Sequence, residues 1–195
     1  MTTTNEYDVA SCTPLLVTWV KRLESLGALD LPVRLLQPLA DALVADPARA
    51  DALRGTWLGH ALHPVLTDLP IGFWMSTNVL DLLGGKQSRP AATRLLTLGV
   101  LSAVPAVVTG YAEWATTGQR EKRVGVVHAA SNALAVALFT SSLAARRNDR
   151  HTRGVLLALA GSTSASVGGF LGGHLSSARK VSSRHPAFHA SRSPS

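Results

Sequence analysis

Three stretches of the chain carry no charged side chain: Leu95 to Ala112, Val124 to Ala145 and Gly154 to Ala178, of 18, 22 and 25 residues with histidine counted as neutral. A helix rises about 1.5 Å per residue and a bilayer core is about 30 Å thick, so roughly 20 predominantly apolar residues cross it. Each stretch therefore predicts a spanning helix. A fourth candidate, 55–83, is apolar except for Asp68 and Asp81 and holds Pro64 and Pro70, which predicts a bent span. Three uncharged runs joined by short basic loops would leave a soluble bundle little wettable surface, so membrane embedding is the favoured reading.

Ahead of the spans the pattern changes. From Pro14 to Leu26, Leu15, Leu16, Trp19, Val20 and Leu23 recur at helical spacing with Lys21, Arg22 and Glu24 between them, and a second such pattern follows Pro32 through Leu35, Leu36, Leu39 and Leu43. Both read as amphipathic helices, too charged to span, lying on the membrane surface or against the bundle. No basic stretch, apolar run and small-residue cleavage site occur in that order, so no removable signal peptide is expected. From Arg179 onward, serine, arginine and proline without apolar periodicity read as a disordered tail. The expected architecture is all-α: a flexible N-terminus over 1–12, amphipathic helices within 13–53, a four-helix transmembrane bundle over 54–178 and a disordered tail over 179–195. Such a chain would be a multi-pass protein of the cell membrane.

Composition narrows the chemistry. Of the 195 residues 16% are charged, against about 25% in an average soluble domain, and the formal net charge is +7. A single cysteine, Cys12, excludes an intramolecular disulfide or a multi-cysteine metal site. The basic residues fall into short loops and chain ends rather than a stripe interleaved with aromatics, so membrane lipid is the expected partner and nucleic acid is not. Lys86, Arg89, Arg94, Arg146, Arg147, Arg150 and Arg153 fall at one face and Arg54, Arg120, Lys122, Arg123, Arg179 and Lys180 at the other, too even a division to set orientation. No Ser/His/Asp arrangement, phosphate-binding loop or dinucleotide fingerprint occurs, and no enzyme class is assigned.

Up-and-down order brings distant residues together. The first span begins with His60 and His63, the second ends with Glu113 and Trp114, the third begins with His128 and the fourth ends with His174, all at one face. His128 lies five residues past Arg123 and His174 five before Arg179, which puts both about 7 Å inside the charged boundary. Ionisable residues at membrane depth usually face the interior and carry function. Gly99, Ala103, Ala106, Gly110 and Glu113 form one helical stripe, Gly161, Ala165, Gly168 and Gly172 another, and small residues let spanning helices approach closely. Gly172 and Gly173 would leave room for a flat ligand. His128 and Asn132 share a face, continued by Ala135 and Phe139.

Each residue also has a plainer use. His60 and His63 could cap the helix start beside Pro64; Asp68 could serve a histidine or the donors freed by a proline; Glu113 could pair with Arg120 or Lys122; Asn132 could join helices. Trp57, Tyr111 and Trp114 suit an interfacial belt, Asp81 a membrane boundary, and His151, His185 and His189 are assigned no role.

The segments Leu58-Gly59-His60-Ala61-Leu62-His63-Pro64, Leu69-Pro70-Ile71-Gly72, Val104-Pro105-Ala106, Thr109-Gly110, Glu113-Trp114, Arg123-Val124-Gly125 with His128 and Asn132, and Leu171-Gly172-Gly173-His174-Leu175 resemble the signature of an uncharacterised four-helix bacterial membrane family. The resemblance covers about 53–175. Members occur alone or joined to a Rieske-type iron–sulfur domain, which implies a redox setting. Here Glu113 stands where aspartate is usual before the tryptophan, and a polar tail follows His174 in place of an apolar continuation.

Three functional readings follow. Two of His60, His63, His128 and His174 could ligate a b-type haem, with Asp68, Glu113 or Asn132 orienting a ring nitrogen, and electrons passing between a quinone or redox partner and a further protein. The same groups suit a non-haem metal or proton-handling site. The third reading is a scaffold, homo-oligomeric or partner-binding, whose buried polar cluster fixes helix register.

Overall fold

The computed structural model describes residues 13–185 and residue 187. Cys12, the flexible segment expected over 1–12, His189 and most of the tail beyond His185 lie outside the described residues.

The chain is all-α, with seven α-helices among the described residues: α1 Leu15–Ser25, α2 Asp30–Val44, α3 Pro47–Arg54, α4 Leu62–Leu83, α5 Arg89–Trp114, α6 Gln119–Arg147 and α7 His151–Gly173. Local chemistry sets several ends. Asp46 caps α3 by accepting the Arg49 N–H at 2.7 Å with Pro47 in the first turn, and Gly55 stops it at φ 75°. Pro90 opens α5, where a missing N–H costs nothing.

Two expectations are corrected. The architecture is not the expected bundle of four spanning helices: among the described residues three helical stretches, Lys86–Trp114, Gln119–Arg147 and His151–Ala178, are long and apolar enough to cross a membrane. α4, the expected fourth span, is long but diluted by His63, Asp68, Asn78 and Asp81, and three further helices pack outside it and its neighbours. The expected disordered tail also needs revision. Over 179–185 the backbone forms a strap beside the start of α4, held to the body of the protein: the Val181 N–H donates to Leu175 O at 3.2 Å, the His185 N–H to Gly59 O at 2.9 Å, and His60 and Arg184 form an antiparallel bridge. Composition records the lack of an apolar face and not these backbone bonds.

The helices α4 to α7 run alternately up and down, each packed on its neighbours in sequence, with α7 returning to α4. Their core holds Trp74, Leu96, Ala103, Ala135, Phe139, Leu143 and Ala158, centred on Trp74 stacked over Phe139 at 4.2 Å. A second cluster, Val20, Val124 and Leu171, fixes α1 to α6 and α7.

The amphipathic helices lie against this assembly and turn their leucines outward; Leu15 is 88% and Leu35 71% exposed. Ion pairs anchor them. Glu24 of α1 accepts from Arg179 and meets His174 Nε2 at 2.8 Å. Asp30 of α2 takes Arg123 through both oxygens at 2.7 and 2.8 Å, and Gln119 at 2.6 Å. Arg179 above all, then His174, holds the Glu24 carboxyl below its usual range, and the Arg123 hydrogen bonds hold Asp30 at about 2.

Candidate functional site

Of the four histidines gathered by the topology, two come together. His63 on α4 and His128 on α6 face one another with ring centroids 6.2 Å apart and planes at 79°. Each is fastened the same way to the helix that follows its own. The His63 Nδ1 donates to Ala106 O of α5 at 2.8 Å, and the His128 Nδ1 donates to Gly168 O of α7 at 2.8 Å. A carbonyl only accepts, so in the neutral ring the proton sits on Nδ1 and Nε2 keeps its lone pair. Glycine makes the fit: a Cβ on Gly110 would lie 2.8 Å from the His63 Cε1, and one on Gly172 3.0 Å from the His128 Cε1. The space at Gly172 expected to take a flat ligand is filled by an imidazole; at Gly173 nothing lies within 4 Å.

This correspondence extends along the molecule. Sixty-five residues separate His63 from His128, Trp74 from Phe139, Thr77 from Ser142 and Asp81 from Arg146. Sixty-two separate Ala92 from Gly154, Gly99 from Gly161, Ala106 from Gly168 and Gly110 from Gly172. The contacts follow the same rule. Thr77 donates to Ala92 O at 3.3 Å and Ser142 to Gly154 O at 2.6 Å, while Trp74 lies on Gly99 and Phe139 on Gly161. The hairpins α4–α5 and α6–α7 are two copies of one unit. His63 meets His128, Trp74 stacks on Phe139 and Asp81 bonds Arg146 at 2.9 Å, each residue touching its own counterpart. Self-contact of this kind marks a local two-fold axis, and the paired imidazoles sit on it.

The remaining expected site residues lie elsewhere. His60 sits beside its neighbour's carbonyl, with Nδ1 3.1 Å from Ala61 O. His174 is engaged by Glu24 and belongs to the α1 anchor. Glu113 pairs with neither Arg120 nor Lys122 but accepts the Ser183 N–H at 2.9 Å, leaving Oε1 buried without a partner. Asp68 is exposed and makes no hydrogen bond or ion pair among the described residues. Asn132 does attend the site: its Nδ2 lies 3.2 Å from His128 Nε2 and donates to His128 O at 3.1 Å. Among the described residues no three His, Cys, Asp or Glu side chains converge as a metal-binding group. The partners that sequence reasoning missed are the carbonyls of Ala106 and Gly168, and the recurring spacing of seven then four in Gly99, Ala106, Gly110 and Gly161, Gly168, Gly172 is the signal that marks them.

Comparison with curated proteins and with solved structures finds no match. A family model described as "Predicted membrane protein (DUF2231)" matches residues 59–185, from the glycine before His60 through the strap over α4. With three helices long and apolar enough to cross a membrane among the described residues and most of its length matched, the chain belongs to this family of predicted membrane proteins.

Proposed function

We propose that this is a multi-pass protein of the cell membrane that holds one transition-metal centre between His63 and His128, for electron transfer at the face where α4 and α6 begin. The observation that carries the reading is the pair of imidazoles with Nδ1 tied to a carbonyl and Nε2 left as the ligating nitrogen, the arrangement by which outer-shell carbonyls orient metal-bound histidine. Their 6.2 Å spacing would let one metal take a nitrogen from each. Asn132 would yield its place at Nε2 to the metal and stay on the His128 carbonyl.

A single ion such as iron or copper needs only the gap between the rings. The iron of a b-type haem takes the same two donors and is the second reading, supported by the carbonyl-anchored imidazoles. A macrocycle needs a flat slot as well, and neither the cavity at the start of α4 nor the one between the end of α6 and the start of α7 is lined by His63 or His128, which favours the single ion.

Elemental analysis and visible spectra of the detergent-purified protein test the proposal. About one metal per chain is expected, lost in His63→Ala and in His128→Ala and kept in His60→Ala and His174→Ala. A protein that stays metal-free when supplied with iron, copper, zinc and haem overturns it.

A further inference from the structure

A cavity of about 370 Å³ opens beside the start of α4, within the range of small-ligand sites and separate from the paired imidazoles. One wall is Pro64, Val65 and Asp68; the other is Ser182 and Arg184 of the returning strap. The strap is not loose over this opening. Its backbone is fixed by the Ser183 N–H on the Glu113 carboxylate at 2.9 Å and the His185 N–H on Gly59 O at 2.9 Å, which sets Arg184 between two anchored residues.

The charges of this cavity are unspent. Among the described residues Asp68 has no hydrogen-bond or ion-pair partner, and the Arg184 guanidinium donates only to Lys180 O at 3.3 Å. The two line one cavity without meeting each other. Asp68 also stands on an apolar face of α4, between Val65 at 45% and Leu69 at 49% exposure, with Ile71 a turn further at 42%. An ionised carboxylate beside lipid is costly unless a cation joins it. A ligand that satisfies both ends carries an anionic group for Arg184, an ammonium for Asp68 and an apolar portion for the α4 face.

We propose that this cavity binds the phosphoethanolamine headgroup of an aminophospholipid, its phosphate on Arg184 and Ser182, its ammonium on Asp68, and its acyl chains along Val65, Leu69 and Ile71. Arginine suits the phosphate because its planar fork offers paired donors. A primary ammonium donates hydrogen bonds to Asp68; a trimethylated one cannot, and a glycerol headgroup has no positive charge.

The experiment uses the full chain in detergent, titrated with phosphatidylethanolamine, phosphatidylcholine and phosphatidylglycerol and read by native mass spectrometry. Phosphatidylethanolamine is retained over either other lipid by about fivefold, the scale of one charge pair in a partly wet site. Asp68→Asn removes that preference, Asp68→Glu keeps it, and Arg184→Gln weakens phosphatidylethanolamine and phosphatidylglycerol alike. Free phosphoethanolamine that displaces the lipid supports the headgroup chemistry, and if it binds as tightly as the lipid it assigns the site to a soluble source. Equal retention of the three lipids by the native chain, or an unchanged preference in Asp68→Asn, overturns the proposal. Asp68 is exposed, so the asparagine variant keeps the fold, which circular dichroism verifies.

Discussion

The local two-fold axis makes a prediction about charge that ordinary packing does not. Asp81 and Arg146 are counterparts in the two hairpins and bond each other across the axis, with side chains 1% and 2% exposed. The guanidinium meets both carboxylate oxygens, and its Nε donates to Ser142 Oγ at 3.2 Å. Replacing Asp81 by Ala leaves a buried unpaired cation, which costs about 3–5 kcal/mol. At about 1.4 kcal/mol per decade, that shifts the unfolding equilibrium by roughly two to three and a half decades. The exchanged pair, Asp81→Arg with Arg146→Asp, should recover about half of the loss, because an arginine at 81 finds Thr77 four residues earlier as Arg146 finds Ser142. Recovery stays partial for a visible reason. Gly154 makes room for the stem of Arg146, where a Cβ would lie 2.7 Å from its Cγ, while its counterpart Ala92 is fully buried and carries that Cβ. Adding Ala92→Gly to the exchange should restore most of the remainder. Unfolding in mixed micelles of increasing sodium dodecyl sulfate content, followed by circular dichroism, measures each variant. Single substitutions costing under about 1 kcal/mol, or an exchange as costly as its two singles together, would refute the two-fold reading.

Gly110→Ala and Gly172→Ala each drive a methyl into an imidazole, at 2.8 Å and 3.0 Å, and should weaken metal binding by about tenfold or more. Gly169→Ala, with nothing within 4 Å, should leave it unchanged, and isothermal titration of the three variants checks the contrast. Acid should loosen the N-terminal helices before the rest. Asp30, held at about 2 by Arg123, and Glu24, lowered by Arg179, have folded values below their unfolded ones. Their pairs therefore stabilise fully above about pH 4.5, and that stabilisation is lost as pH falls through the folded values towards about 2. Pepsin cleavage between α1 and α3 that increases over this interval, while the α4 to α7 region stays intact, is the expected result; uniform resistance down to about pH 2 would contradict it.

How far the sequence reaches depends on what kind of information a residue carries. The spacing of Gly99, Ala103, Ala106 and Gly110 identifies a close-packing stripe, and Trp74 and His63 lie along it. Depth is legible too: counting from the nearest charge places His128 and His174 at one end, and the up-and-down order of the spans adds His63. Depth is not direction. His174 shares that depth but turns towards Glu24, a partner 150 residues away on α1 that no helical period announces. The duplication is hidden by its substitutions: phenylalanine answers tryptophan, serine answers threonine, and at 81 and 146 the charges are opposite because each needs the other. Such exchanges erase residue identity and preserve geometry. The strap over α4 leaves no trace in composition because backbone amides on Gly59 O and Glu113 hold it.

The central claim is that the axial imidazoles hold metal. Metal content per chain, measured by plasma mass spectrometry on protein purified from cells grown with iron and copper, with His63→Ala and His128→Ala alongside, tests it most directly. The account predicts about one ion per native chain and none in either variant. Native protein without metal, or variants that keep it, would contradict the account.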